Sequence, residues 1–228
     1  NECTELASIT FESNEGVYAL ETIGNSAFAK TSVQSVVIPY SVKSIGQRAF
    51  ELCRSLTSVT FDDDGGAPRL ESLGTYAFKN CEELTAFEIP MTVNSIGANP
   101  FLYDSKLVLT MNAANATFKM HNGMLYNNDL TILLVCPGYI TGEVILASTC
   151  VEIKGEAFVG SQIESISMTQ TGFTINDWAF NYCRSLTKVE IGNEVYVGKL
   201  AFRYCEALID ITIGENCTVN DQAFYHCT

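Results

Sequence analysis

The chain has 228 residues, of which 26 are acidic and 13 basic, and its formal charge of −13 disfavours binding to nucleic acid or anionic lipid headgroups. Apolar residues make up 47% and charged residues only 17% of the sequence, which excludes an intrinsically disordered chain. No apolar run approaches the roughly 20 residues of a membrane-spanning helix, so we expect no direct membrane insertion.

An Ala-Phe dipeptide recurs along the chain and marks the phase of an internal repeat. Its phenylalanines, with Pro100-Phe101 as a degenerate copy, are Phe28, Phe50, Phe78, Phe158, Phe180, Phe202 and Phe224. Counted through Phe101, the steps are 22, 28, 23, 57, 22, 22 and 22 residues. A period in the low twenties predicts a solenoid whose units bury their apolar faces against their neighbours.

A second apolar pattern, of the form L-x-x-L-x-L, lies between the phase markers. Its seven copies are Leu6/Ile9/Phe11, Val33/Val36/Ile38, Leu56/Val59/Phe61, Leu84/Phe87/Ile89, Ile163/Ile166/Met168, Leu186/Val189/Ile191 and Leu208/Ile211/Ile213. This is the strand of a leucine-rich repeat, in which the last two apolar residues point inward and the residue between them points outward. We therefore predict an α/β repeat solenoid: a right-handed, leucine-rich-repeat-like array with a parallel sheet on one face. At Ala-Phe we predict short helical turns on the other face.

The repeats organise the chain as a single domain, 1–228, in three stretches. N-terminal repeats occupy 1–111, a hairpin-bearing irregular repeat occupies 112–145, and C-terminal repeats occupy 146–228. Short strands on either side of Asn127-Asn128-Asp129 predict an inserted β-hairpin near the middle. Neither terminus carries the polar cap that a solenoid end requires, so we expect a piece of a longer array.

Two repeats are longer than the others between strand and phase marker. Phe11 to Phe28 and Phe61 to Phe78 span 17 residues, whereas Ile38 to Phe50 spans 12. The additions are acidic and contain glycine, which predicts surface loops at Asn14-Glu15-Gly16 and at Asp62-Asp63-Asp64-Gly65-Gly66. At Asp62 to Asp64 a solvated loop is favoured over a Ca²⁺ site, because three consecutive carboxylates do not converge easily on one ion.

Cysteines and histidines follow the repeat and do not form a chemical motif. Of the nine cysteines, six stand three residues after a phase position: Cys3, Cys53, Cys81, Cys183, Cys205 and Cys227. One local environment repeated along the stack predicts a row of buried free thiols, and no C-x-x-C zinc signature occurs. His121 and His226 are far apart in the array, so we expect no catalytic site, no metal and no cofactor.

The outward side of the predicted sheet is the candidate interaction face. It is rich in hydroxyl groups and mildly acidic, and its predicted residues are Thr10, Val37, Thr60, Glu88, Ser167, Lys188, Glu190, Asp210 and Thr212. Tyr103, Tyr182 and Tyr204 share another phase and form a possible aromatic row, which a carbohydrate-binding solenoid would need.

The consensus Ile38-Pro39-x-Ser41-Val42-x-x-Ile45-Gly46-x-x-Ala49-Phe50-x-x-Cys53-x-Ser55-Leu56-x-x-Val59 resembles the BspA-like (Treponema pallidum type) leucine-rich repeat. The resemblance implies a non-enzymatic cell-surface or secreted module for adhesion and host interaction, with a host extracellular protein or another cell surface as partner. The alternative is an architectural spacer or an intracellular, cytoplasmic scaffold, which the unpaired cysteines favour because oxidising compartments normally pair them.

Overall fold

The computed structural model describes residues 3–12, 19–62 and 66–227. The chain forms two compact units, Asn1–Thr117 and Phe118–Thr228. Both units are built from parallel strands of the leucine-rich-repeat type, as predicted. The predicted surface loop at Asn14-Glu15-Gly16 and residues 63–65 of the predicted surface loop at 62–66 lie outside the described residues.

The first unit contains four long strands, three at L-x-x-L-x-L patterns and one at a variant, whereas the strand predicted at Leu6/Ile9/Phe11 is absent, although these residues are described. The four strands are β2 (Ser35–Ile38), β4 (Ser58–Phe61), β6 (Ala86–Ile89) and β8 (Val108–Met111). β2 pairs with β4 and β6 pairs with β8, both in parallel. The two pairs are separate sheets, since no ladder joins β4 to β6.

Each repeat of the first unit also contributes a two-residue strand. These short strands are β1 (Thr22–Ile23), β3 (Ser44–Ile45), β5 (Ser72–Leu73) and β7 (Ser95–Ile96). They form one continuous parallel sheet in the order β1-β3-β5-β7. The sequence pattern indicated an apolar pair at this phase, but a second parallel sheet was not predicted.

The second unit repeats this arrangement without a break in its long strands. These are β12 (Thr141–Val144), β14 (Gln162–Met168), β16 (Lys188–Ile191) and β18 (Asp210–Ile213), and they form one parallel sheet in that order. The short strands are β13 (Glu152–Ile153), β15 (Thr174–Ile175), β17 (Tyr196–Val197) and β19 (Thr218–Val219).

An antiparallel segment opens the second unit. It consists of β9 (Phe118–His121), β10 (Met124–Asn127) and β11 (Ile132–Val135), and β11 continues in parallel into β13. A hairpin is therefore present where it was predicted, but its tightest turn lies at Asn122-Gly123. Both residues have positive φ, of 49° and 75°, which matches the two-residue turn that Asn-Gly favours.

The predicted helical turns at Ala-Phe are wrong, since the described residues contain no helix. The residue before Ala-Phe has a left-handed backbone conformation, with positive φ, in each regular repeat. These residues are Ser26, Arg48, Tyr76, Glu156, Trp178, Leu200 and Gln222. A second left-handed residue follows four positions later, as at Tyr182 and Tyr204. A helix needs an unbroken run of right-handed residues, so this spacing produces consecutive turns instead.

These turns are hydrogen-bonded between repeats. The Phe50 N–H donates to the Ala77 carbonyl at 2.7 Å, and the Phe180 N–H donates to the Ala201 carbonyl at 2.7 Å. The phenylalanine donor therefore pairs with the next repeat and does not close a helical turn. The same alignment stacks the rings, with centroids 5.2 Å apart for Phe50 and Phe78.

The interior of each unit is this ring stack with the aliphatic residues of the strands. In the second unit Phe180 is fully buried between Phe158 and Phe202, at centroid distances of 4.6 and 4.7 Å. Pro100-Phe101 keeps the same role despite its altered dipeptide, because Phe101 stacks on Phe78 at 5.8 Å.

The row of cysteines lies beside the ring stack, and the thiols do more than fill space. Each of five row cysteines donates from Sγ to the phenylalanine carbonyl of the preceding repeat. The pairs are Cys53 to Phe28, Cys81 to Phe50, Cys183 to Phe158, Cys205 to Phe180 and Cys227 to Phe202, at 3.0–3.2 Å. All nine cysteines are free thiols, but the predicted buried row is buried only at its four middle members, since Cys3 is exposed and Cys227 is half-buried near the ends. Burial raises the pKa of Cys81 and Cys136.

Polar residues replace cysteine at three positions of the row. Thr31 and Ser161 place their hydroxyls 3.3 and 3.4 Å from the thiols of Cys53 and Cys183. The third, Asp104, is 1% exposed and accepts a 2.7 Å hydrogen bond from the Cys81 N–H through Oδ1. Its Oδ2 has no hydrogen-bond partner within the described ranges, and burial raises the pKa of this carboxyl well above its usual range.

Candidate interaction face

The long strands separate an inner face from an outer face. In β2, Val36 and Ile38 are buried while Val37 between them is 53% exposed. The same alternation holds in β6, where Glu88 is exposed between two buried residues. We call the exposed side chains of the long strands, with Thr10 at the equivalent phase, the outward face.

All nine predicted residues lie at the surface, and eight of them are exposed: Thr10, Val37, Thr60, Glu88, Ser167, Lys188, Asp210 and Thr212. Glu190 is half-buried. Thr10 does not belong to a strand, whereas the other eight do. The outward assignments therefore hold, but the inward assignment fails in the last repeat, where Ile211 and Ile213 of β18 are each 40% exposed. A binding role for the outward residues stays a prediction.

In the second unit, register brings the predicted residues into two adjacent rows. Ser167, Glu190 and Thr212 are successive Cα partners in one row. Lys188 and Asp210 are partners in the other row. Because the strands are consecutive in one sheet, this part of the face is a regular polar ladder.

Lys188 is the centre of charge in this ladder. Its Nζ lies 2.8 Å from Glu190 Oε1 and 3.9 Å from Asp210 Oδ2. The hydrogen bond from Lys188 lowers the pKa of the Glu190 carboxyl, and the same bond raises the pKa of Lys188. The charged side chains on the outward face of the second unit are thus largely paired with one another.

The outward face of the first unit is more apolar. Val37 is the Cα partner of Thr60, and Glu88 is the partner of Thr110. Val108, which precedes Thr110 by two residues on the same side of β8, is 45% exposed. Glu88 is exposed and makes no ion pair or hydrogen bond with any residue that the structure describes.

A groove of about 530 Å³ lies on this face, where the ladder between β4 and β6 is missing. It is lined by residues of β4, β6 and β8 and of the loop that follows each of these strands. They are Val59, Thr60, Phe61, Ala67, Pro68, Ala86, Glu88, Pro90, Met91, Thr110 and Asn112. Its size falls within the range of ligand-binding clefts, roughly 300–1,000 Å³.

The predicted aromatic row is present in part. Tyr182 stacks on Tyr204 with centroids 4.7 Å apart, and Tyr204 stacks on His226 at 4.9 Å. Arg203 lies over the Tyr204 ring at 4.4 Å. Because the ring faces cover one another, they are not open for the face-on stacking that a sugar platform requires. The row is better explained as packing at the turn surface.

The two histidines are in different environments. The His121 ring lies edge-on to Tyr126 at 6.0 Å, and the His226 ring packs on Tyr204 while the neighbouring Cys227 thiol bonds the Phe202 carbonyl. In the described part of the chain, no group of three or more His, Cys, Asp or Glu residues has the arrangement of a metal site. The same ranges contain no helix with the length and hydropathy to cross a membrane.

Thr110 and Glu143 are among the outward residues that the sequence pattern missed. Thr110 follows a shortened motif, in which Leu107, Leu109 and Met111 alternate without the usual two-residue gap. Glu143 lies on β12, inside the stretch predicted to be irregular, and is the Cα partner of Ser165. The alternation of Gly142, Val144 and Leu146 was the available signal for that strand.

Comparison with known proteins agrees with this architecture. The family model described as BspA type leucine rich repeat region matches in six copies, over residues 21–141 and 136–228. Among solved structures, the pneumococcal vaccine antigen PcpA is similar with a TM-score of 0.73 and 22% identity, over 87% of this chain and 55% of that chain. A leucine-rich repeat protein from Eubacterium ventriosum has a TM-score of 0.68 and 19% identity, over 91% of this chain and 68% of that one.

The chain thus spans about half the length of the pneumococcal antigen. At these identities the likeness concerns the fold alone. The search of curated protein sequences found no significant match.

Proposed function

Because this chain belongs to the BspA-type leucine-rich-repeat family, we propose that it is a non-enzymatic protein-interaction module that serves adhesion at a cell surface. Leucine-rich-repeat families are generally binding modules, and repeat arrays present extended surfaces to their partners. The observation that supports the proposal most is the outward face, whose exposed side chains stand on regular four-residue strands.

The partner that we propose is a protein, either a host extracellular protein or a component of another cell surface, and the location is the cell surface or the secreted fraction. Net charge supports this class, since a chain of −13 repels nucleic acid and anionic lipid. The alternative is an architectural spacer or intracellular scaffold without a specific ligand. It draws support from the free thiols and from the mutual pairing of Lys188 with Glu190 and Asp210.

The test is saturable binding of the fluorescently labelled full chain to intact epithelial cells and to purified extracellular-matrix proteins. Outward-face variants Thr60→Arg and Ser167→Arg place a bulky cation at exposed strand positions in each unit. Ser95→Arg and Thr218→Arg make the same change at exposed positions of the short strands and serve as matched controls.

We expect binding to saturate and to fall at least fivefold, about 1 kcal/mol, in an outward-face variant while both controls bind normally. Equal loss in the controls would place the interaction elsewhere than on the outward face. Adsorption that rises linearly without saturation on every surface would favour the spacer.

A further inference from the structure

We propose that the groove of the first unit binds an extended segment of a partner protein that carries a basic side chain flanked by apolar side chains. This inference rests on the proposed function, because it names the kind of partner that the outward face receives. Three features of the groove support it: an interrupted ladder, apolar walls and one carboxylate that pairs with no described residue.

The interrupted ladder gives the groove its capacity for backbone recognition. β4 is hydrogen-bonded to β2 and β6 to β8, but no backbone hydrogen bond joins β4 to β6 within the described ranges. The facing edges of these two strands therefore carry N–H and C=O groups that are not paired between them. An extended peptide supplies complementary donors and acceptors along its whole length.

Apolar side chains line the groove beside these edges. Pro68 and Pro90 come from the loops that follow β4 and β6, and Phe61 and Met91 also line the groove. Met91 is 46% exposed, and its unbranched thioether side chain adapts to partners of different shape. Apolar side chains that alternate along an extended segment can pack against these residues.

Glu88 provides the charge. It is an exposed groove residue in the same cleft as the Thr60 and Thr110 side chains, and no described residue pairs with it. Glu190, at the same outward phase in the second unit, is already neutralised by Lys188 at 2.8 Å. The difference leaves Glu88 as a carboxylate available to an incoming Lys or Arg.

Charge also selects a foreign segment over a second copy of this chain. The sequence carries twice as many acidic as basic residues, 26 against 13, so two copies repel each other at neutral pH. A basic segment is attracted both by the overall field and by Glu88 itself.

The experiment uses the full chain and fluorescein-labelled octapeptides measured by fluorescence polarisation. One peptide set has a fixed central Lys with Val and Thr alternating around it, and the matched set has Glu in place of Lys. Three variants are compared with the parent chain: Glu88→Gln removes the charge, and Ala86→Trp fills the groove. Glu71→Gln removes one carboxylate at an exposed position outside the groove.

We expect the Lys set to bind and the Glu set not to bind. Glu88→Gln should weaken binding by roughly five- to tenfold, as for loss of a partly exposed charged hydrogen bond. Ala86→Trp should abolish binding and Glu71→Gln should leave it unchanged. Amide hydrogen exchange in 58–61 and 86–89 should slow when the peptide is bound, which locates the peptide independently of the variants.

Equal binding of the Lys and Glu sets would overturn the inference by showing non-specific binding. Equal weakening by Glu88→Gln and Glu71→Gln would also overturn it, because it would show general electrostatic attraction to an acidic protein. Self-association that Ala86→Trp disrupts would make a second copy the occupant and would also overturn it. If no peptide binds but Ser167→Arg still weakens cell binding, the groove inference fails and the proposed function stands. If the peptides bind as expected but the chain does not bind cells, the groove is a peptide-binding site and the proposed adhesion role fails.

Discussion

The long-strand sheets of the two units differ, although both come from the same repeat. In the second unit β12, β14, β16 and β18 form one unbroken parallel sheet, whereas in the first unit the sheet is split between β4 and β6. The short strands and the phenylalanine stack continue past the split, since β3 pairs with β5 and Phe50 stacks on Phe78. The break therefore affects one side of the repeat only.

Loop length explains the difference. Where the stretch from the last strand residue to the next phase marker spans 11 or 12 residues, as from Ile38 to Phe50, the following long strand pairs with the preceding one. Phe61 to Phe78 spans 17 residues, and the strands on either side do not pair. Phe11 to Phe28 also spans 17, and residues 8–11 are described but do not form a strand. Added residues in the loop thus uncouple neighbouring long strands while the turns remain in register.

The largest expected effect is on stability, and it tests whether the missing ladder between β4 and β6 leaves the hydrophobic core intact. Phe180→Ala in the second unit and Phe50→Ala in the first should each lower the free energy of unfolding by roughly 3–5 kcal/mol, from lost burial and the remaining cavity. Both rings are fully buried in continuous stacks. Urea denaturation followed by circular dichroism measures the change, and exposed Thr60→Ala, expected to cost under about 0.5 kcal/mol, is the control. A small cost for Phe50→Ala alone would show that the break reaches the core.

Deleting residues 62–66 should remove the difference between the units. The step from Phe50 to Phe78 then becomes 23 residues, the same as from Phe78 to Phe101. We expect β4 and β6 to pair, which adds roughly 1–3 kcal/mol of stability from a few ladder hydrogen bonds and slows amide exchange in 86–89. Replacing 62–66 by five Gly and Ser residues keeps the length and should leave exchange unchanged. Fast exchange at 86–89 in the deletion variant would mean that loop length is not the cause.

Asp104 makes the stability of the first unit depend on pH in an unusual direction. Burial raises its pKa, so the folded chain keeps the proton at a pH where the unfolded chain releases it. The Asp104 contribution to stability is therefore greatest below the unfolded pKa, roughly 3.9, and falls as the pH rises from there to the folded pKa, by at most about 1.4 kcal/mol per pH unit. Asp104→Asn should flatten this dependence and raise stability at pH 7. Parallel stability curves for both proteins between pH 4 and 7 would contradict it.

The smallest effect concerns the charged ladder of the second unit. Lys188→Ala should raise the pKa of Glu190 toward its ordinary value, because the hydrogen bond from Lys188 is the main cause of its lowering. A carboxyl ¹³C titration by NMR measures this, and Lys188→Arg, which keeps the charge, is the matched control. An unchanged Glu190 titration would show that the pair does not persist in solution.

The sequence was sufficient for six of the seven predicted strands, because an apolar alternation such as Val36, Val37, Ile38 reports which side chain is buried. The alternation does not report exposure in the last repeat, where Ile211 and Ile213 are each 40% exposed. The sequence was misleading at the turns. Ala-Phe resembles a helical surface pattern, and the left-handed residues that prevent a helix are ordinary ones such as Trp178 and Leu200. Among the described repeats glycine occupies these positions only at Gly160, so composition carries little warning of the backbone conformation.

The groove could not be predicted from the sequence at all. It depends on whether β4 and β6 lie in register to pair, which is a property of two neighbouring repeats and not of either repeat alone. The extra residues after Phe61 were visible and correctly assigned to a loop, but their effect on strand pairing was not. Likewise, the pairing of Lys188 with Glu190 follows from side-chain geometry, whereas Glu88 at the same phase has no cation nearby in its strand.

The thiol row has a practical consequence for handling this protein. Five row thiols donate to a phenylalanine carbonyl of the previous repeat, and carbonyls such as those of Phe50 and Phe180 also accept a backbone N–H. A cysteine-free form built with Ala would therefore lose a weak second hydrogen bond and leave a small cavity at each buried position. Serine keeps a donor of similar size, and Thr31 shows that a hydroxyl at this phase can bond a phenylalanine carbonyl, that of Phe28, at 2.9 Å. Alkylating reagents at Cys205 would likewise remove a donor as well as add bulk. Site-specific dyes are therefore best attached at Cys3, the exposed cysteine that stands outside the buried row.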